Sequence, residues 1–350
     1  MAKHRLGIVG FGGMGNWHCE LIESGIENLE IAGMFDIKEE RQEAARELGY
    51  RAYESLDALL ADETVDMILI STPNDCHKPI AVKAMEAGKN VVSEKPVTLS
   101  SEDLLEMIDA SKRTGKIFTV HQNRRWDEDF LTVKKLYDEN ALGDVFNIES
   151  RVHGSRGIPG DWRGKKEHGG GMMLDWGVHI IDQMLLMVKE KITSIYCKVN
   201  HVTNYEVDDG FTLILTFESG KTALLEVGTS NFIELPRWYM LGENGSVQID
   251  DFLVHGKIVR ITDWDKNDAV PVKTAAGLTK TMAPRTDDTI HTEPVVKVDS
   301  DIKDFYRNVM AAIEGREEQL IKHDELLRVM RVMETALRSA ELNQVLPFEA

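Results

Sequence analysis

Cysteine is scarce in this chain. Cys19, Cys76 and Cys197 are the only three among 350 residues, and they lie far apart. So dispersed a set gives neither a disulfide framework nor a thiolate metal site. No His-x-x-x-His pair supplies ligand spacing either, so no metal is expected, and a reducing cytoplasm is the simplest compartment. Long apolar runs are missing too, which argues against a membrane span. The start, Met-Ala-Lys-His-Arg, leads directly into a strand pattern, so no signal peptide is expected. Positive charge is in deficit: 41 Lys and Arg stand against 59 Asp and Glu, a net charge of −18. That balance argues against nucleic acid and anionic membranes as partners and says little about a neutral small molecule. No repeat or low-complexity segment is visible. The remaining composition is that of a soluble globular protein, long enough for two domains.

What the chain has is a glycine-rich turn between a strand and a helix. Leu6–Val9 is an apolar run, Gly10-Phe11-Gly12-Gly13-Met14-Gly15 follows, and a helical pattern through Trp17, Leu21 and Ile22 comes next. This order is found where a pyrophosphate rests on the turn. Gly10 permits the turn, Gly12 lets the backbone approach the phosphates, and Gly15 lets helix and strand pack closely. The free N–H groups and positive dipole end of the helix favour the anion. A second strand, Leu29–Phe35, ends in Asp36, 21 residues after Gly15. That is close to the ~20 expected of the acid that binds the adenosine ribose. Its carboxylate accepts from a 2′-OH and repels a 2′-phosphate. NAD is therefore the expected cofactor, with NADP less favoured but kept open by Lys38.

Up to about residue 121, strand and helix patterns alternate. Lys38–Leu48 reads as a charged helix closed by Gly49, and Ser55 as the cap of a short helix carrying Leu56, Leu59 and Leu60. Residues 65–72 are nearly all apolar, as a strand buried on both faces requires, and Pro73 stops them. A helix over 78–87, a strand at Asn90–Ser93, a helix over 101–114 with a Ser100/Asp103 capping box, and a sixth strand at Ile117–Val120 complete the unit. Such alternation implies a doubly wound parallel sheet with ligands at the carboxyl ends of its strands. Those ends carry Ser71, Thr72, Pro73 and Asn74, then Glu94 and Lys95, then His121, Gln122 and Asn123. The candidate cofactor residues are the 10–15 turn, Asp36, Ser71–Asn74, His77, Glu94, Lys95 and Asn123. Lys95, between an acid and a proline at the end of an inner strand, points to the nicotinamide half of the site.

The second half begins with a helix capped by Asp127 and running through Phe130, Val133, Leu136 and Tyr137. Strand patterns follow at 145–153, 192–200, 210–218 and 221–229, with others near 237–241 and 246–250. Segment 263–298 reads as a long polar excursion, and helices near 301–313 and 323–342 close the chain. A helix starting near Asp175 has an apolar stripe, Trp176, Ile180, Met184 and Leu185. Asp175, His179 and Asp182 fall at i, i+4 and i+7 on a separate polar stripe. Spacing alone fits a solvated face with a structural histidine as well as a reactive one. Trp162 stands out among the tryptophans because Gly160, Asp161 and Arg163 flank it. Arg124 and Arg125 read as contacts to phosphate or substrate, or as partners of acids.

The chain resembles the Gfo/Idh/MocA oxidoreductases over essentially its full length. The motifs are the glycine turn, Ala87-Gly88-Lys89-Asn90-Val91-Val92-Ser93-Glu94-Lys95-Pro96, and Gly169-Gly170-Gly171-Met172-Met173-Leu174-Asp175-Trp176-Gly177-Val178-His179. The resemblance implies an α/β protein: an N-terminal Rossmann domain, here 1–121, then a domain on an open, mostly antiparallel sheet, here 122–350. It implies a Lys–Asp–His constellation for alcohol oxidation or carbonyl reduction, falling on Lys95, Asp175 and His179, and a cis bond at Lys95–Pro96. Gln122-Asn123-Arg124-Arg125-Trp126-Asp127 resembles the branch of inositol and sugar or glycoside dehydrogenases. Pro159-Gly160-Asp161-Trp162-Arg163 resembles members whose Trp-Arg pair reaches cofactor or substrate. Trp162 and Arg163 therefore join the cofactor set. Lys95, Asn123, Arg124, Trp162, Asp175 and His179 form the substrate set.

These residue types suit one reaction. A histidine near neutral pKa can take the proton of a secondary hydroxyl. Lys95 can stabilise the developing alkoxide, and Asp175 can orient His179 or bind a neighbouring hydroxyl. The expected function is NAD-dependent oxidation of a ring secondary hydroxyl in a cyclic polyol (a sugar, glycoside or inositol), with inositol 2-dehydrogenase as the first alternative. An NAD-linked sugar or redox sensor without turnover, and an enzyme cycling a retained cofactor through a transient 3-keto sugar, are the other readings. A homo-oligomer, specifically a tetramer, is expected from the family's paired open sheets and from apolar runs such as Phe211–Leu215.

Overall fold

The computed structural model describes residues 3–266 and 269–349; the outermost residues of the two expected domains, 1–2 and 350, lie outside them. The first half alternates strand and helix: β1 (His4–Val9), α1 (Gly13–Glu23), β2 (Leu29–Phe35), α2 (Glu39–Glu47), α3 (Leu56–Ala61), β3 (Met67–Ile70), α4 (His77–Glu86), β4 (Asn90–Ser93), α5 (Ser101–Thr114) and β5 (Phe118–Val120). All five strands are parallel, in the order β2-β1-β3-β4-β5. The stretch at 117–120 is thus the fifth strand, not a sixth. Met67–Ile70 is fully buried, which is why it reads as an unbroken apolar run.

The direction of winding reverses between β1 and β3, where a doubly wound sheet opens its ligand crevice. Here the glycine turn meets the loop after β3. The Ser71 hydroxyl donates to the Gly10 carbonyl at 2.7 Å. Gly10 has φ +91°, and a Cβ on Gly15 would lie 2.4 Å from the Gly10 oxygen. Neither position admits a side chain without moving the backbone. Ser55 and Ser100 cap their helices as expected, accepting from Ala58 and Asp103 N–H. Asp103 does not close a reciprocal box; its carboxylate takes Lys78 and Thr98.

The second half comprises α6 (Glu128–Asp138), β6 (Val145–His153), α7 (Val178–Met187), β7 (Ile192–Asn200), β8 (Gly210–Phe217), β9 (Thr222–Gly228), β10 (Trp238–Gly242), β11 (Gly245–Ile249), β12 (Gly256–Ile261), β13 (Val272–Thr274), β14 (Gly277–Thr279), β15 (Ile290–Pro294), α8 (Lys303–Ile313), α9 (His323–Leu342) and β16 (Leu346–Pro347). Nine strands form one sheet, β15-β12-β11-β10-β6-β9-β8-β7-β16. Every pair is antiparallel except β6 with β9. β12 and β15 escaped the sequence reading; they are short strands at the outer end of the sheet, β12 burying only Ile258 and β15 no residue fully. Asp127 precedes α6, but its carboxylate accepts from Arg124 rather than capping the helix.

Helices α7 and α9 pack on the sheet. Phe211, Leu213 and Leu215 are buried, whereas Thr212 and Ile214 lie half-buried on the alternate face. The Phe211–Leu215 run is therefore core on one face rather than an exposed apolar surface. Near its end the chain returns to the first half. The Tyr306 hydroxyl of α8 lies 2.7 Å from His18 Nδ1, Lys303 donates to the Ser24 carbonyl, and Glu334 of α9 accepts from Ser101. Among the described residues no helix is long and apolar enough to cross a membrane.

Candidate active site

The crevice gathers groups from both halves. Lys95 stands two residues after β4 and is joined to Pro96 by a cis bond. Its Nζ donates to Asp175 Oδ1 at 3.0 Å and to the Asp175 carbonyl at 3.1 Å. Arg163 Nε lies 3.5 Å from the other carboxylate oxygen. Burial raises the Asp175 carboxyl, but the Lys95 and Arg163 cations outweigh it and hold the group below its ordinary range.

Asp175 sits in a π-turn, Met173–Gly177, that runs into α7. Asp208 shapes this turn: its carboxylate accepts from Met173 N–H at 2.7 Å and its carbonyl from Met172 N–H at 3.0 Å. Gly171, at φ +108°, comes so close that a Cβ would lie 2.3 Å from Asp208 Oδ1. The wide turn displaces Asp175 from the stripe that regular helical spacing predicts. Asp182 takes no part in the site: it is buried in a two-bond ion pair with Arg125. The expected polar stripe is therefore not a solvated face.

His179 is 3% exposed, and its Nδ1 has no partner. Burial first, then the Lys95 and Arg124 charges, push the imidazole well below its usual pKa, so it is neutral near pH 7. Asp175 spends its carboxylate on Lys95 and Arg163 and does not orient His179. The Trp176 ring meets His179 edge-on at 5.8 Å, and the Arg124 guanidinium lies 4.0 Å over Trp176.

Three consecutive residues after β5 carry buried side-chain atoms without partners: His121 Nε2, Gln122 Oε1 and Asn123 Oδ1. Buried polar atoms are nearly always satisfied, so a run of such groups at the carboxyl end of β5 fits a polar ligand. The glycine turn fits a dinucleotide: a Cβ on Gly12 or Gly13 would meet nothing within 4 Å, leaving open space at the start of α1. Asp36 flanks it, accepting from Phe11 N–H at 2.7 Å and Lys38 N–H at 2.9 Å. The Phe11 side chain itself is buried against Tyr50, whereas Met14 is half-buried.

Other candidates support the loops. Thr72 Oγ1 donates to the Pro73 carbonyl at 3.3 Å. Asn74 donates to the Gly169 carbonyl at 2.8 Å, joining the two halves. Both ring nitrogens of buried His77 face backbone carbonyls, Pro96 at 2.9 Å and Thr72 at 3.0 Å, leaving neither free for a cofactor. Trp162 lies under the Arg163 guanidinium at 4.6 Å on a short 3₁₀ turn, and Asp161 holds Arg163 at 2.7 Å.

Glu94 is wholly engaged. One oxygen accepts from His18 Nε2 and His121 Nδ1, both at 2.8 Å, and the other from Lys95 N–H. Burial, then His121, push His18 down to about 4. His18, Glu94 and His121 offer donor atoms within 4.8 Å of one another, a grouping that could hold a metal ion. The expectation of no metal rested on spacing along the chain, which cannot see three residues from α1 and the ends of β4 and β5. Hydrogen bonds among them and with Tyr306 account for the arrangement.

Residues 4–122 match the profile of the oxidoreductase family with an NAD-binding Rossmann fold, and residues 130–248 match the GFO/IDH/MocA C-terminal domain. The chain belongs to the Gfo/Idh/MocA family. An NAD-binding protein of known structure from Listeria innocua shares 47% identity, covering 99% of this chain and 100% of that one, with a TM-score of 0.96. The scyllo-inositol 2-dehydrogenase (NADP(+)) IolW of Bacillus subtilis is 27% identical, covering 99% of this chain and 96% of its own. The NAD(+) scyllo-inositol 2-dehydrogenase of the same organism is also 27% identical, over 70% and 73%. This Gfo/Idh/MocA protein is thus an NAD(P)-binding oxidoreductase related to inositol dehydrogenases.

Proposed function

We propose that this Gfo/Idh/MocA oxidoreductase is an NAD-dependent dehydrogenase that oxidises a ring secondary hydroxyl of a cyclic polyol: a sugar, glycoside or inositol. The observation that carries the reading is Lys95 paired with Asp175 beside a neutral, buried His179. Residues 1–121 hold the cofactor and 122–350 supply most of the substrate site. The 10–15 turn would cradle the pyrophosphate, Asp36 would take the adenosine ribose, and the 121–123 segment and Lys95 would meet the nicotinamide half. When bound, the nicotinamide supplies the hydride acceptor.

The protein's own residues do the rest. The neutral His179 imidazole takes the hydroxyl proton. The Lys95 ammonium, held by Asp175, donates to the oxygen as it gains charge. Asn123, Arg124, Arg163 and Asp175 offer more donors and acceptors than one simple alcohol can satisfy, and each left buried and unmet would cost ~1–3 kcal/mol. A ring with neighbouring hydroxyls meets them, while Trp162 covers an apolar face.

The test is NAD and NADP reduction across inositols, free hexoses and glycosides, with products identified by NMR. Oxidation confined to short-chain alcohols or 2-hydroxy acids would overturn the reading.

A further inference from the structure

The connection between β11 and β12 is a six-residue loop, 250–255, rather than a tight turn. Asp251 pins it, accepting from Leu253 N–H at 2.9 Å, His255 N–H at 3.2 Å and His255 Nδ1 at 2.6 Å. Within it Val254 is buried at φ +70°, a region a β-branched residue enters only under strain. Strain of this kind is sustained where the surroundings impose it, commonly at functional sites.

Phe252, two residues before Val254, is what the loop presents. The Phe252 ring lies 6.2 Å from Trp176. Two guanidinium groups approach its ring, Arg124 at 5.4 Å and Arg237 at 5.1 Å. A continuous wall therefore runs from His179 through Trp176 and Arg124 to Phe252. Its outer end is no core residue, for Phe252 keeps 40% of its surface exposed. The wall takes two aromatic steps, 5.8 and 6.2 Å between centroids. A six-membered ring with its reacting carbon at His179 covers the Trp176 end and leaves Phe252 bare.

We propose that Phe252 is a specificity-determining residue, the platform of a second subsite for the aglycone or second sugar ring of a glycoside. This rests on the polyol-dehydrogenase reading above and narrows its substrate class. A ring face stacks on Phe252, and the guanidinium edge of Arg124 meets the polar atoms between the two rings.

The test compares methyl and phenyl β-glucoside, which differ only in the aglycone, by calorimetry on the full chain with NADH present so that no turnover occurs. Phenyl glucoside should bind about tenfold more tightly, as one aromatic contact plus its buried area allows. Phe252→Ala should bring that ratio close to one, and Phe252→Tyr should restore it, with NADH affinity as the check on folding. A ratio near one in the native protein, an unchanged ratio in Phe252→Ala, or binding of neither glucoside overturns the proposal. Turnover with NAD is read separately: failure to oxidise any cyclic polyol would overturn the dehydrogenase reading and leave the binding ratio to judge the subsite.

Discussion

Burial lowers the pKa of His179, and Lys95 and Arg124 push in the same direction. A base that stays neutral until the pH is well under 6.5 places the acid limb of kcat/KM for oxidation below that value, and a pH-rate profile reads this directly. His179→Gln should remove the limb and lower kcat by ~10²–10⁴-fold. Lys95→Ala should cost a similar factor while NAD affinity, measured by fluorescence titration, falls far less; near-normal turnover would refute its role. Asp36→Ala should erode the proposed preference for NAD, visible in the ratio of kcat/KM for the two cofactors, because it removes both the proposed ribose acceptor and the repulsion of a 2′-phosphate. The pairing of Lys95 with Asp175 is foreshadowed in the sequence by the motifs that carry the family resemblance. The orphaned atoms of His121 and Gln122 and the Phe252 platform were not. Whether a polar atom is buried without a partner, and whether a distant hairpin reaches Trp176, are facts of three-dimensional packing that spacing does not carry.

At the level of elements, the turns matter more than the regular segments they join. Gly15→Val should abolish cofactor binding and lower the melting temperature, since even a Cβ would stand 2.4 Å from the Gly10 oxygen. Gly171→Ala forces a Cβ to 2.3 Å from Asp208 Oδ1 at a left-handed φ. It should loosen the π-turn and lower kcat without direct contact to substrate, with differential scanning calorimetry and kinetics read together. The Rossmann strands were easy to place because both their faces are buried, and α9 because its apolar period is regular. β12 and β15 were hidden because both are short and, at the sheet's outer end, bury at most one side chain, Ile258. The π-turn was hidden because one extra residue per turn leaves the composition of a helix unchanged while rotating every residue beyond it. Asp182 lies in α7 with His179 and pairs with Arg125 instead of entering the site.

For the whole molecule, pH should govern stability through the cluster that joins the halves. His18 titrates near 6.5 when unfolded and near 4 when folded. Between those values the unfolded chain binds the proton and the folded chain does not, so stability present above pH 6.5 is lost as the pH falls toward 4. The contribution is roughly 3 kcal/mol. Urea unfolding at pH 7.5 and 4.5 should show the drop, and His18→Gln should lessen its slope. We further propose that the half-buried sheet face, with Tyr196, Ile214, Leu224, Glu149 and Tyr239 in one cross-strand row, pairs with a second copy on the way to a tetramer. Light scattering showing a monomer at micromolar concentration would exclude it.

The return of α8 to the first half has a consequence for heredity as much as for stability. His18 is numbered among the first residues and Tyr306 among the last, yet each is buried against the other. A recombination event that exchanged only the nucleotide-binding half between two relatives would separate the imidazole from its phenol and leave His121 facing a stranger's helix. The two halves therefore cannot be inherited as independent cassettes. The crossover that works is one in which α8 travels with the N-terminus, although nearly two hundred residues of foreign sequence lie between them.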